Sequence, residues 1–408
     1  MNIYFSGING TGIGPLALLA ADAGFKVFGS DLNRGAIYDD IVASGAEFRI
    51  GKQDEQFLQH VHNTHGVDWL VYTSALPDSH PELTLAEKLG IKTTKRDDLM
   101  NYIIEEKGLK LIAVAGTHGK TTTTAMLVWV FKQLGLPLSY VVGTTLPFAS
   151  SGHFNQGAKY IAYECDEYDR NFLKFNPELA LITTVSYDHI DIYPTEANYK
   201  QAFKQFEAQS SKVIQSAKLS MNSSLNLPGS HNRENANLVL AALKQLNVLQ
   251  VPYLQKAVDI LNKFPGSNRR FERLMDGLYT DYAHHPDEVA ATVQMALEVS
   301  DKVAVIYQPH QNTRQHQVRE GYKNAFNGVN KLFWLPTYLA REDPSLPVIS
   351  PAEFIAELSN KSIARPADIN DELLANIKQL INNGYLVLLM AAGPADNWLR
   401  GHLAGLKN

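Results

Sequence analysis

Short apolar runs of β type alternate with segments of helical period almost from end to end of this chain, the pattern of parallel sheets covered by helices. Asn2–Ser6, Lys26–Ser30 and Asp68–Ser74 read as strands, with a helix over Thr11–Ala23, and together they predict a doubly wound unit of about a hundred residues. The polar stretch Glu105–Lys110 closes it. A new buried strand, Leu111–Ala115, then runs through a glycine turn into a long helical pattern, Lys120–Leu134. A second break falls at Phe264–Asn268, where Phe-Pro-Gly-Ser-Asn interrupts a helical pattern ahead of the strand-like Gly277–Tyr282. The expectation is an α/β chain of three domains, 1–107, 108–266 and 267–408.

Composition narrows the field. With 45% hydrophobic and 19% charged residues over 408, intrinsic disorder, collagen and a disulfide scaffold are excluded. Lys and Arg number 37 against 42 Asp and Glu, a net charge of −5, so no basic excess argues for nucleic acid or a membrane surface. Any phosphate must be held locally. The single cysteine, Cys165, forms no internal disulfide and fits a reducing compartment. No Lys or Arg precedes Lys26, and Gly7, Gly10, Gly12 and Gly14 cut the first apolar stretch, which argues against a signal peptide. No run of about 18 apolar residues predicts a transmembrane helix. The expected location is the cytoplasm.

The strongest chemical signal is Gly116-Thr117-His118-Gly119-Lys120-Thr121-Thr122, between a buried strand and a helix. Glycines let backbone N–H groups converge on phosphate oxygens, Lys120 offers a point charge, a threonine hydroxyl can ligate Mg²⁺, and the helix N-terminus favours the anion. The competing reading is a helix-capping turn with a chance lysine. Next comes Glu164-Cys165-Asp166-Glu167-Tyr168-Asp169 at the end of the strand-like Tyr160–Tyr163, where Glu164 is the candidate metal ligand. Taken alone, four acids in six residues more often describe a solvated turn. Asp188-His189-Ile190-Asp191 ends a third buried run, Leu179–Val185, and His189 can ligate a cation or orient a carboxylate.

Near the N-terminus, Gly7-Ile8-Asn9-Gly10-Thr11-Gly12 resembles a dinucleotide turn, with Asp31 near the ribose-reading position. Pro15 stands where the third glycine belongs, so a nicotinamide cofactor fits poorly and a diphosphate fits well. Further polar clusters hold Asn232 and Asn235, Arg270, Asp281, His284-His285 and His310 to Arg314. Asn232 and Asn235, one helical turn apart, can read a base edge or cap a helix. Arg314 can clamp a carboxylate or phosphate. Adjacent His284 and His285 on one helix would point apart, against joint metal ligation.

The ordered set Gly116 to Thr122, Glu164-Cys165-Asp166-Glu167, Asp188-His189-Ile190-Asp191, His231-Asn232, Asp281 to Pro286 and Gln308-Pro309-His310 with Thr313-Arg314 resembles the Mur ligases of peptidoglycan synthesis. Within them it is most similar to the branch that adds L-alanine to UDP-N-acetylmuramate. The resemblance implies a Rossmann-like UDP-sugar domain, a central P-loop ATPase domain with a parallel sheet, and a Rossmann-like C-terminal domain that brings the amino acid. It implies ATP and Mg²⁺, an acyl-phosphate intermediate, and a monomer or weak homodimer. By position it gives Gly116, Thr117, His118, Gly119, Lys120, Thr121 and Thr122 to the ATP phosphates, and Thr121, Glu164 and His189 to the metal. It gives Asn232 and Asn235 to adenine, Asp281 to ribose and Arg270 to the phosphates. His284, His310 and Arg314 face the alanine and the reacting centre, and Gly10, Gly12 and Asp31 hold the UDP moiety.

Two departures stand out. Where several Mur ligases carry a carbamylated lysine, alignment on Tyr199 puts Phe203, with Lys204 one step out of register. Only about forty residues separate His189 from His231, where the family usually inserts a small extra β-sheet. Alternatives are a recycling ligase that attaches a tripeptide to UDP-N-acetylmuramate, a catalytically silent nucleotide-binding relative and, on the first glycine turn alone, a nicotinamide oxidoreductase.

Overall fold

In the computed structural model, which describes residues 1–73, 76–189, 192–248, 254–340 and 342–406, five parallel strands open the chain. They are β1 (Asn2–Ser6), β2 (Lys26–Asp31), β3 (Glu47–Ile50), β4 (Trp69–Tyr72) and β5 (Lys92–Lys95), in the order β3-β2-β1-β4-β5. The winding reverses between β1 and β4, so the turn after β1 opens at the point where such sheets take ligands. The expected helix over Thr11–Ala23 begins only at Gly14 and ends at Asp22, because Gly10 to Ile13 is spent on the turn. Its sequence, Gly-Pro-Leu-Ala-Leu-Leu-Ala-Ala-Asp, is apolar on nearly every side, as a helix covered on both faces must be.

The second cover comes from the next sheet. Its strands are β6 (Lys110–Ala115), β7 (Ser139–Val141), β8 (Gly152–His153), β9 (Tyr160–Glu164), β10 (Leu179–Ile182) and β11 (Val213–Gln215), ordered β11-β10-β6-β9-β7-β8 with β8 antiparallel. At Gly152 a Cβ would lie 1.8 Å from the Pro15 carbonyl oxygen, so only glycine permits this approach. One apolar core, from Ile3 and Leu19 to Ala113, Phe172 and Phe206, joins the two sheets. The strand expected over Leu179–Val185 stops at Ile182. Between Gln215 and the helix Ser230–Gln245 the described residues form no strand, in keeping with the shortened His189–His231 interval.

The third sheet comprises β12 (Glu272–Met275), β13 (Leu278–Asp281), β14 (Val303–Gln308), β15 (Lys331–Trp334), β16 (Ala364–Pro366) and β17 (Leu386–Ala391). Its order is β12-β13-β17-β14-β15-β16, parallel except for β12. Alternate residues feed its two faces, Val305 and Tyr307 on one and Ala304 and Ile306 on the other. Met1–Leu225 with Glu234–Pro265 forms one compact unit and carries the first two sheets; Asn226–Arg233 with Gly266–Asn408 forms the second. Among the described residues no helix is long and apolar enough to cross a membrane. Ser74, Ile190 and Asp191 lie outside the described residues.

Candidate active site

Strand β6 ends in a turn that tolerates no side chain at its first position. Gly116 has φ +136°, and a Cβ there would come within 2.1 Å of Thr183 Oγ1. Gly119, at φ +86°, opens the helix Lys120–Gln133 without a side-chain cap, which leaves its first N–H groups for an anion. Thr117 and His118 tie the turn to the chain leaving β10. The N–H groups of Thr117 and His118 donate to Thr184 O at 2.8 Å and Thr184 Oγ1 at 3.1 Å, and the Thr117 hydroxyl donates to Ser186 O at 2.8 Å. Thr122 is half-buried in the first helical turn.

Lys120 extends from this helix toward the ends of β6 and β9. Its Nζ donates to Gly116 O at 2.7 Å and to Glu167 Oε2 at 2.6 Å, with Asp166 at 3.7 Å. Burial alone would lower its pKa, but Glu167 and Asp166 outweigh burial and keep the ammonium charged. Thr121 Oγ1 donates to Glu164 Oε2 at 2.8 Å, and Glu164 Oε1 accepts Gly143 N–H at 2.7 Å. A hydroxyl and a carboxylate oxygen meeting beside a phosphate-type turn are the donor set of a hard cation. His189 has φ +60° and presents Nε2 3.4 Å from Glu167 Oε1 and 3.8 Å from Asp188. Burial lowers its pKa, yet Glu167 and Asp188 raise it on balance. The structure thus brings Thr121 to Glu164, and His189 and Lys120 to Glu167.

Within the same unit this cluster connects to the first sheet. Arg96, heading the helix Arg96–Glu106, donates from Nη1 to Gly12 O at 3.3 Å and reaches Asp166 at 3.6 Å. Its neighbour Asp97, buried, accepts the Tyr163 hydroxyl at 2.6 Å. Gly10 and Gly12 lie in the expected turn, where Gly14 N–H donates to Gly10 O at 2.8 Å. Asp31 borders that turn and shapes it, its carboxylate accepting Asn9 N–H at 2.8 Å and Asn33 N–H at 3.3 Å. Asn235 is buried against the P-loop: a Cβ on Gly119 would lie 2.7 Å from its Oδ1. Phe203, which alignment on Tyr199 sets at the carbamate position, packs in the core on Phe172 and Tyr199, while Lys204 is exposed.

In the second unit, Asp281 ends β13 and accepts the N–H groups of Phe271 at 2.6 Å and Ala283 at 2.7 Å. Burial pushes its pKa up to about 6, against the opposing pull of Arg270. The two neighbouring arginines divide their work. Both lie over the Tyr282 ring, but Arg269 also donates to Ala391 O at 2.6 Å and lies 3.4 Å from Asp396, a structural anchor, whereas Arg270 acts on Asp281. Asn232 donates to Pro228 O at 3.1 Å and lies against Met295. His231 beside it is held neutral, its pKa lowered to about 4 by burial.

His284 and His285 correct the sequence reading, because both precede the helix, which spans Pro286–Val299. His285 is its N-cap, and His284 turns back to Tyr282 O at 3.1 Å. The His284 ring meets His310 edge-on at 5.8 Å, and His310 stacks on Tyr338. Burial and the nearby charge of Arg314 keep His284 neutral in spite of Glu288. Asp281, Arg270, His284, His310 and Arg314 therefore gather in one unit. Glu342 escaped the sequence reading: it accepts N–H groups of Asn312 at 3.0 Å and Thr313 at 2.9 Å and so fixes the helix that presents Arg314. Glu167 and Arg96 were missed as well, the first inside an acidic run that gave no reason to prefer it.

Two family models match the chain: the catalytic-domain model of the Mur ligase family over residues 2–107, and the Mur ligase middle domain over residues 114–214. The chain is 30% identical to the UDP-N-acetylmuramate–L-alanine ligase of Carboxydothermus hydrogenoformans, over 96% of this chain and 94% of the relative. It is 28% identical to that of Clostridium acetobutylicum, over 96% and 95%. That second alignment runs over 449 positions although the chain has 408 residues, so the relative carries residues that this chain lacks. Among solved structures it is similar to UDP-N-acetylmuramate-alanine ligase MurC from Thermotoga maritima, with TM-score 0.79, 23% identity and coverage of 100% and 99% of the two chains. A murein peptide ligase from Psychrobacter arcticus follows with TM-score 0.66, 20% identity and coverage of 100% and 99%.

Proposed function

The chain belongs to the Mur ligase family, and from that premise we propose that it joins L-alanine to the carboxylate of UDP-N-acetylmuramate, with conversion of ATP to ADP and phosphate, in peptidoglycan precursor synthesis. The observation that carries this reading is that the helix start after Gly119 offers Lys120, paired with Glu167, and beside it Thr121, paired with Glu164, where the parallel strands β6 and β9 end side by side.

A carboxylate is a poor electrophile, so it must gain a leaving group. Its oxygen attacks the γ-phosphorus and the bond to ADP breaks. The amine nitrogen then attacks the acyl carbon, loses a proton, and phosphate departs with the bonding pair. Lys120 and the uncapped N–H groups after Gly119 neutralise charge on the transferring oxygens. Thr121 and Glu164, with His189, would hold Mg²⁺, which supplies further charge neutralisation there. Gly10, Gly12 and the Asp31-braced turn suit a UDP diphosphate. Asn235, packed on Gly119, and Asn232 are assigned to adenine, with Asp281 and Arg270 as ribose and phosphate contacts. His284, whose pKa is lowered by burial, with His310 and cationic Arg314 suit an amino acid, whose carboxylate Arg314 would clamp.

The test is ATP-dependent phosphate release with UDP-N-acetylmuramate and a panel of amino acids plus the tripeptide of the recycling pathway. L-Alanine is expected to stimulate release. Preference for the tripeptide would transfer the chain to the recycling branch, and no stimulation by any acceptor would mark a silent relative.

A further inference from the structure

Glu167 belongs to no ligand set named so far, yet its carboxylate touches two of the groups on which the reaction depends. It has no exposed surface, although it lies three residues beyond the end of β9 in a run of acids. The backbone turns it inward and holds it there. Its carbonyl accepts the Tyr193 hydroxyl at 2.6 Å and the Arg170 N–H at 3.0 Å, and Asp169 and Arg170 follow in left-handed conformation at φ 55° and 56°. Oε2 receives Lys120 at 2.6 Å, and Oε1 faces His189 Nε2 at 3.4 Å with no hydrogen-bond partner among the described residues.

We propose that Glu167 is a positioning residue that sets Lys120 and the His189 ring together for phosphoryl transfer; this rests on the ligase reading of the site. An ammonium has three hydrogens. Two are taken, by Gly116 O and Glu167, and Asp166 at 3.7 Å is beyond hydrogen-bond reach, so the third is left for a phosphate oxygen. On its other side the same carboxylate stands 3.4 Å from the imidazole as an ionic partner, in the place a carboxylate takes behind a metal-ligating histidine. Burying a carboxylate far from water is unfavourable unless it is paired, and here the partner is the lysine whose placement matters.

The experiment compares Glu167→Gln, which keeps shape and an acceptor but loses the charge, with Glu167→Asp, which keeps the charge on a shorter arm. For Glu167→Gln, kcat should fall about ten- to a hundredfold and the Mg²⁺ concentration for half-maximal rate should rise, with KM for UDP-N-acetylmuramate unchanged. Glu167→Asp should recover part of the loss. Calorimetric ADP binding to the Gln variant should lose most of its enhancement by Mg²⁺. Adding Glu167→Gln to Lys120→Ala should lower the rate by less than it does in the wild type, because the part of the effect that runs through the lysine is already gone and only the part through His189 remains. A Gln variant with kcat and Mg²⁺ dependence within twofold of wild type overturns the proposal. So does a parallel fall of kcat, UDP-sugar affinity and melting temperature in both variants, which describes a role in folding only. Should Glu167→Gln not fold, the Asp variant decides alone: reduced kcat at unchanged UDP-sugar KM supports the proposal, and a wild-type kcat overturns it. If Lys120→Ala itself retains phosphate release, the ligase reading fails first; if Lys120→Ala is inactive and Glu167→Gln keeps a kcat within twofold of wild type, only the role of Glu167 is lost.

Discussion

Replacing Gly116 by alanine tests how tightly the phosphate-type turn is built. At φ +136° an L-residue is strained by about 1–2 kcal/mol before any contact is considered. The new Cβ would also lie 2.1 Å from Thr183 Oγ1 and 2.7 Å from Thr184 O, so strand end and turn must separate. Overpacking of this kind costs about 1–3 kcal/mol, and displacing the Thr183 hydroxyl from His118 O, now at 2.5 Å, costs about 1 kcal/mol more. The sum is about 3–6 kcal/mol. Gly135 provides the control, with φ +67° and nothing within 4 Å of its virtual Cβ, so Gly135→Ala carries about 1 kcal/mol of backbone strain alone. Hydrogen exchange read by mass spectrometry over β6 and β10 resolves the two, since about 3 kcal/mol corresponds to roughly a hundredfold faster exchange. Amides of β14 and β17, in the other compact unit, are expected to keep their rates. Equal exchange in the two variants would show that the contact between Gly116 and the β10 end does not constrain the turn.

Arg314→Ala should raise KM for L-alanine at least tenfold while ATP and UDP-sugar affinities hold, as initial-rate kinetics will show; equal loss of all three would refute a clamp on the amino acid. Asp281 gives a pH signature in the second unit. Its folded pKa of about 6 exceeds the ordinary 3.8, so it favours the folded state fully below pH 3.8, and that contribution, about 3 kcal/mol, is lost as pH rises through 6. Melting curves from pH 4 to 7 should therefore show wild type losing stability relative to Asp281→Asn, and a constant difference would disprove the burial argument. Tyr163→Phe removes the 2.6 Å hydrogen bond to buried Asp97 and should cost about 1–3 kcal/mol in urea unfolding followed at the first unit; a loss under about 0.5 kcal/mol would mean that water replaces the hydroxyl.

Much of the fold was legible because its cues are local. The runs that became β1, β2, β6 and β13 alternate with helical periods, and a strand or a helix is chosen by residues close in sequence. The Gly116–Thr122 turn was legible for the same reason: glycine at positive φ, lysine at a helix start and threonine behind it are fixed by adjacent positions. Errors came where that locality ended. A helix reading of His284 and His285 failed because Pro286 starts the helix and His285 caps it. Leu179–Val185 was too long a strand because Thr183 and Thr184 turn their hydroxyls to His118.

Sequence by itself determined the alternation of strands and helices and the glycine-lysine turn between β6 and the helix that follows it, since each follows from neighbouring residue types. Only the tertiary structure chose among chemically equal side chains. Glu164 pairs with Thr121 while Glu167 pairs with Lys120, 47 positions away in the chain, and Arg269 braces β17 while Arg270 remains beside Asp281. The reason is directional. Once a strand ends, its alternation no longer says where a side chain points, and the partner that turns it inward arrives from a distant part of the chain.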